Sequence, residues 1–178
     1  MTKATILVLA ALALLLAACG RADTAAAARA VGAPGQQPDG KNTMVRVRVF
    51  GKDGQLSGPV EMPKVVRSDA EWRRLLTPDQ YRIARASDTE PPFCGGLLHN
   101  KGAGVYVCVG CGLPLFTSDA KFESGTGWPS FFQPIAKENI LERTDSSHGM
   151  ARTEILCPRC ESHLGHVFED GPRPTGLR

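Results

Sequence analysis

Cys108-Val109-Gly110-Cys111 and Cys157-Pro158-Arg159-Cys160 are the two stretches on which the reading of this chain turns, and about 45 residues separate them. A C-x-x-C turn aims two sulfurs at one point while its backbone N–H groups support their charge. Two such turns complete the tetrahedron that a structural zinc ion prefers. Two disulfides, or a single redox-active pair of the thioredoxin type, are the competing readings. Two matched knuckles, neither of which opens a long helix, favour the metal. Around them, short apolar runs at 105–109, 113–116, 153–156 and 164–168 are separated by Gly, Pro and Asn, which predicts a mainly β body.

Toward the N-terminus the periodicity changes. Ser68 begins S-x-x-E with Glu71, and Thr77-Pro78-Asp79-Gln80 begins T-x-x-Q with proline at the first helical position. These are capping-box signatures, and they predict two short helices near 69–76 and 78–86. Before them, Val45-Arg46-Val47-Arg48-Val49 alternates at the strand period and a Gly51-Lys52-Asp53-Gly54 turn leads to a second extended run at 60–66, which reads as a hairpin. Residues 19–43 are rich in Ala, Gly, Pro and Gln, have little to bury, and read as a tether. Residues 1–18 read as an export signal: Lys3 precedes an apolar run of about 13 residues, too short for a spanning helix. The small residues before Cys19 match a bacterial lipoprotein signal, with Cys19 the lipidated residue. The expected location is then the cell envelope, lipid-anchored on the periplasmic side, with a soluble periplasmic protein after ordinary signal cleavage as the alternative.

Composition sets outer bounds. In 178 residues, 42% hydrophobic and 22% charged, there is room for one domain with a core, and 19 Gly and 13 Pro lean toward turns and short strands. The net charge of +3, without a basic cluster interleaved with aromatics, carries no nucleic-acid footprint.

Between the knuckles lies Ser124-Gly125-Thr126-Gly127-Trp128-Pro129-Ser130-Phe131, a glycine-rich turn running into aromatic rings. It reads either as a tight corner pinned by a core Trp or as the wall of a small apolar pocket. Ser147-His148-Gly149-Met150 sets a histidine beside glycine. His163 and His166, a few residues past the second knuckle, are followed by an acid at Asp170. With four cysteines available as ligands, acid–base or substrate-orienting work suits these two histidines better than metal binding.

Taken in order, Asp88-Thr89-Glu90-Pro91-Pro92-Phe93, the two knuckles, SGTGWPSF at 124–131, SHGM at 147–150, HLGHVFEDGP at 163–172 and PTG-x-R at 174–178 resemble the B-type methionine sulfoxide reductases. The resemblance covers 77–178 and leaves 44–76 as an N-terminal extension. It implies two antiparallel sheets around a structural zinc held by Cys108, Cys111, Cys157 and Cys160. It also implies reduction of the R epimer of methionine sulfoxide in proteins, with regeneration by a thioredoxin-like reductant. In that chemistry a cysteine thiolate attacks the sulfoxide sulfur and the departing oxygen must be protonated. Trp128 matches the residue that walls the methyl pocket, and His148, Phe168 and Arg178 are taken with it as substrate-binding. His163 and His166 match the residues that bind the sulfoxide oxygen or supply its proton, and Asp170 matches the acid that orders them. The resolving cysteine of many members falls at Thr126. Here Cys94, which occupies the position of the resolving thiol in other members, is expected to do that work. The small buried residue is its structural alternative.

One departure concerns the end of the chain. The family pattern continues after PTG-x-R as aromatic-Cys-x-Asn-Ser, and that cysteine is the nucleophile. The sequence stops at Arg178, two positions earlier. The expectation is an incomplete record of an active enzyme, the chain as given being unable to turn over. The alternative from another class is a lipid-anchored zinc-knuckle module that binds peptides through Trp128 without catalysis.

Overall fold

The structure, a computed structural model, describes residues 43–178. The side chain of His148 lies outside the described residues, as do the export signal, Cys19 and the tether up to residue 42.

The hairpin forms because Val45 and Val47 face inward while Arg46 faces out. Strand β1 (Met44–Val47) pairs antiparallel with β2 (Val60–Pro63), in the register Val47↔Val60, and Val47 is fully buried. Helix α1 (Asp69–Leu75) and helix α2 (Pro78–Ala86) start where their capping boxes predict. In each, the Ser68 or Thr77 side chain accepts from the third residue's N–H, and Glu71 or Gln80 returns the bond. Trp72 on α1 is buried, and the Arg67 and Arg85 guanidinium groups lie 5.5 and 4.9 Å from its ring centroid.

Seven further strands follow: β3 (Val105–Val107), β4 (Pro114–Thr117), β5 (Lys121–Phe122), β6 (Ser130–Phe131), β7 (Leu141–Asp145), β8 (Arg152–Leu156) and β9 (His163–Val167). The body is mainly β, as the sequence implies. Among the described residues, however, the strands form four small antiparallel sheets where two were expected: β1-β2, β3-β4, β5-β6 and the three-stranded β7-β8-β9. The reason is length. Strands of two to five residues separated by glycine- and proline-rich turns cannot extend a common ladder. Side chains join the pieces instead, with Phe131 of β6 stacked on Phe116 of β4 at 4.4 Å and edge-on to Tyr106 of β3 at 4.9 Å.

A single core runs through these parts. Val47, Trp72, Leu76 and Ala84 from the N-terminal elements pack with Leu113, Leu115 and the cysteines Cys108, Cys157 and Cys160. Polar contacts fasten the same junction. Val65 N–H donates to the Arg159 carbonyl in the second knuckle at 2.7 Å. Asn139 is wholly buried; its Oδ1 accepts from Arg48 N–H at 2.7 Å while its Nδ2 donates to the carbonyls of Arg48 and Pro114 at 2.8 and 2.7 Å. One side chain thus satisfies three backbone groups. Asn139→Leu keeps the volume and strands all three. Each buried, unmade bond costs about 1–3 kcal/mol, so urea unfolding should show a loss of about 3 kcal/mol or more.

Candidate functional site

Two constellations stand out, one of sulfur and one of carboxylate and imidazole. In the first, the turn between β3 and β4 presents Cys108 and Cys111, while the turn after β8 presents Cys157 and Cys160. The four Sγ atoms lie within 4.8 Å of one another. Cys108–Cys160 and Cys111–Cys157 are each 3.5 Å apart, and none of the four is in a disulfide. A tetrahedral ion with metal–sulfur bonds of about 2.3 Å sets sulfurs about 3.8 Å apart, so the donor set fits a metal. Each knuckle is closed by its own backbone. Gly112 N–H donates to the Cys108 carbonyl and Glu161 N–H to the Cys157 carbonyl, both at 2.8 Å. Hydrogen bonds from Cys111 and Cys157 lower the Cys108 thiol to about 7, and Cys108 with the other thiols lowers Cys160 as well; Cys111 and Cys157 are pushed up, first by Cys108. Thiolate character gathered in a buried cluster is what a bound cation would neutralise.

The second constellation lies on the β7-β8-β9 sheet. Register sets Arg143 of β7, Glu154 of β8 and His166 of β9 in one row, with Asp145 and Arg152 paired in the next. Alternation puts all five side chains on one face. His163 Nδ1 bonds Glu154 Oε1 at 2.7 Å, and His166 Nε2 bonds Asp145 Oδ2 at 2.8 Å. The two rings meet edge-on with centroids 5.4 Å apart. They line a cavity of about 330 Å3 with Asp145, Arg152, Glu154 and the 87–89 segment that follows α2. His163 and Glu154 are buried, whereas His166 keeps some access to solvent.

The acids bonded to the histidines are Glu154 and Asp145, whereas Asp170 is bonded to Arg178. Arg178 Nε and Nη2 donate to both Asp170 oxygens at 2.8 and 2.9 Å, which holds that carboxyl below its ordinary range, and the guanidinium lies 4.3 Å from the Phe168 ring centroid. Asp170, Phe168 and Arg178 therefore form their own cluster at the end of β9. Backbone bonds fix it: Phe168 N–H donates to Arg178 O and Arg178 N–H to Phe168 O, both at 2.9 Å. Gly171 is required in the intervening loop, because a Cβ there would collide with the Leu177 carbonyl.

Trp128 is not among the cavity's lining residues. Its indole N–H donates to the Glu90 carbonyl at 2.8 Å, and the loop beside it is tied down by Phe93 N–H donating to Gly127 O at 2.8 Å. Gly127 has φ +94, and a Cβ on it would press to 2.7 Å from Pro92 Cβ. Cys94 is thereby carried on a loop clamped against the 124–131 turn, at an exposed position.

The carboxylates facing the histidines were missed because Asp145 ends a strand without apolar alternation and Glu154 was read only as part of an apolar run. Their pairing is set by strand register, in which Glu154 and His166 are direct partners, and no signal along the chain carries it.

Comparisons with known proteins identify the family. The SelR domain model matches residues 76–178. The peptide methionine sulfoxide reductase MsrB of Hahella chejuensis is 61% identical over 117 residues, which is 66% of this chain and 84% of that protein. Those of Leptospira interrogans and Bradyrhizobium diazoefficiens are each 58% identical over 115 residues, 65% of this chain and 88% and 83% of theirs. The chain belongs to the SelR-domain family, the B-type methionine sulfoxide reductases.

The carboxyl of Asp145 is held well below the usual range, first by its bonds from Ser147 and then by His166 and Arg152; Glu154 is also lowered, the bonds from Arg143 and His163 outweighing its burial. A depressed folded value means that the stabilisation is complete above the unfolded value of about 4 and is lost as pH falls through the folded one. Native stability, followed by denaturant midpoint from pH 7 down to pH 3, should therefore fall more steeply than that of Asp145→Asn.

Proposed function

We propose that this protein reduces the R epimer of methionine sulfoxide in proteins to methionine by thiol chemistry, His166 binding the sulfoxide oxygen or supplying its proton. The observation that carries the assignment of roles is the Phe168–Arg178 backbone pair. Continued in the same antiparallel register, the residue two positions after Arg178 falls opposite His166 and on the same face. The family pattern has its nucleophilic cysteine at that position.

The steps balance as follows. The thiolate forms a bond to the sulfoxide sulfur as the oxygen takes a proton; the hydroxyl then passes to the cysteine sulfur while the new S–S bond and the old S–O bond break, which leaves a cysteine sulfenic acid and methionine. A second thiol displaces water from the sulfenic acid to give a disulfide, which a thioredoxin-like dithiol reduces. Cys94 suits the resolving step, because its loop is bonded through Phe93 to Gly127, next to Thr126, where many members carry that thiol. Trp128, at the same junction, suits the wall of the methyl pocket. The Asp170–Arg178 pair over Phe168 supports substrate binding beside the nucleophile. Cys108, Cys111, Cys157 and Cys160 would hold zinc, which supplies structural bracing and takes no part in the steps. The export signal and Cys19 support a lipid-anchored protein of the cell envelope, repairing oxidised methionines there.

Protein that carries the nucleophilic cysteine two residues after Arg178 should reduce R-sulfoxide peptides and leave the S epimer untouched, and replacing that cysteine by serine should abolish turnover. Reduction of the S epimer alone would overturn the proposal. Cys94→Ser should stall after one turnover with thioredoxin, and unchanged coupled turnover would remove Cys94 from the scheme. Metal analysis under non-oxidising conditions should find about one zinc per chain. Cys157→Ser should lose it with a large drop in thermal midpoint, since structural zinc contributes on the order of 10 kcal/mol to folding.

A further inference from the structure

The proposed function uses His166 but leaves open what decides which of its nitrogens does the work. An imidazole has two nitrogens, and the group bonded to one determines the protonation of the other. His166 Nε2 lies 2.8 Å from Asp145 Oδ2, and Nδ1 takes no hydrogen bond among the described residues. Asp145 is itself held from three sides. Its Oδ2 also accepts from Arg152 Nη2 at 2.7 Å, its Oδ1 accepts from Ser147 N–H at 2.9 Å, and Arg152 Nη2 reaches Ser147 Oγ at 3.2 Å. The buried Nε of Arg152 has no acceptor among the described residues, so the guanidinium's position is set by Asp145 and not by an acceptor at Nε.

We propose that Asp145 is a positioning residue for sulfoxide reduction, accepting the Nε2 proton of His166 so that Nδ1 is the ring nitrogen that delivers the proton to the departing oxygen. Before the step, the imidazolium carries protons on both nitrogens. The Nδ1 proton goes to the sulfoxide oxygen as the thiolate forms its bond to sulfur, and the imidazole remains as the Nε2–H form, still bonded to Asp145. No proton passes to the carboxylate. A carboxylate suits this position because it only accepts. An amide there could equally donate, and would then hold the other tautomer.

His163 carries the mirror arrangement. Glu154 Oε1 meets its Nδ1 at 2.7 Å, and Arg143 in turn holds the other Glu154 oxygen, Nη2 at 2.7 Å and Nε at 3.0 Å. But His163 is buried, and it pairs with Leu156, one step off the row that faces the nucleophile. Asp145 therefore orients the histidine with access to substrate, while Glu154 fixes its neighbour.

This inference rests on the sulfoxide-reductase reading, and its test separates the two. Nitrogen-15 NMR of His166 in the native protein at a pH where the ring is neutral reports the tautomer without any turnover. The expected form is Nε2–H, and a predominant Nδ1–H form would overturn the proposal whatever any variant does. In protein carrying the nucleophilic cysteine, Asp145→Asn should lower kcat on an R-sulfoxide peptide about tenfold to a hundredfold, with KM within twofold and the His166 tautomer shifted or mixed. Turnover within twofold of native would overturn the proposal. So would a loss of turnover with the Nε2–H form intact, since that outcome marks a merely structural role. Failure of the unsubstituted enzyme to reduce R-sulfoxide would instead remove the function itself and leave the tautomer result standing.

Discussion

Everything in this fold is referred to four sulfur atoms. Chain segments about 45 residues apart are brought to within 4.8 Å at Cys108, Cys111, Cys157 and Cys160, and no regular ladder links them. Strands of two to five residues contribute few hydrogen bonds each, so a ligand shared by the two knuckles would, by closing the long loop between them, remove a large share of the unfolded chain's freedom. The N-terminal elements depend on the same point. Trp72, Leu76 and Val47 pack in the core that holds three of the cysteines, and Arg85 Nη1 donates to the Cys160 carbonyl at 2.8 Å. The sulfur cluster and the histidine face are also consecutive in the chain. Strand β8 ends as the second knuckle begins, and β9 starts three residues after Cys160. The position of His163 and His166 is thus inherited from the knuckle.

Physically, the site separates two tasks by burial. The four sulfurs lie in or against the core, and the imidazole of His166 lies on an accessible sheet face. The carboxylates bonded to the imidazoles come from strands β7 and β8, so the whole group is built within a single three-stranded ladder. Trp128 on its clamped loop and the Asp170–Arg178 pair over Phe168 come instead from irregular segments fastened by backbone hydrogen bonds. Rigid elements hold the reacting groups, and braced loops shape the approach.

Legibility in the sequence follows the range of the interaction. Capping boxes are local, so both helices begin where Ser68 and Thr77 predict. The knuckles are local too, and their four cysteines converge. Strand β7 was missed because Leu-Glu-Arg-Thr-Asp, four of its five residues exposed, has no apolar alternation to read. Strands β5 and β6, two residues each, fall below the length at which a period can be recognised. The acid expected beside the histidines, from the resemblance, was Asp170. Cross-strand pairing chose Glu154 and Asp145, because a residue's neighbour in a sheet is fixed by register and not by distance along the chain. Four small sheets in place of two have the same origin, since Phe116–Phe131 stacking between sheets is a tertiary contact with no local signature.

The paired backbone of Phe168 and Arg178 encloses a nine-residue loop in which Gly171 lies against the Leu177 carbonyl. Side chains along a strand alternate sides, so that loop acts as a parity device. Adding or removing one residue within it would turn Arg178 to the opposite face of the sheet. Arg178 would then leave Asp170 and Phe168. Loop length here is therefore constrained by handedness of facing as much as by reach. A change of two residues is a milder perturbation to the site than a change of one.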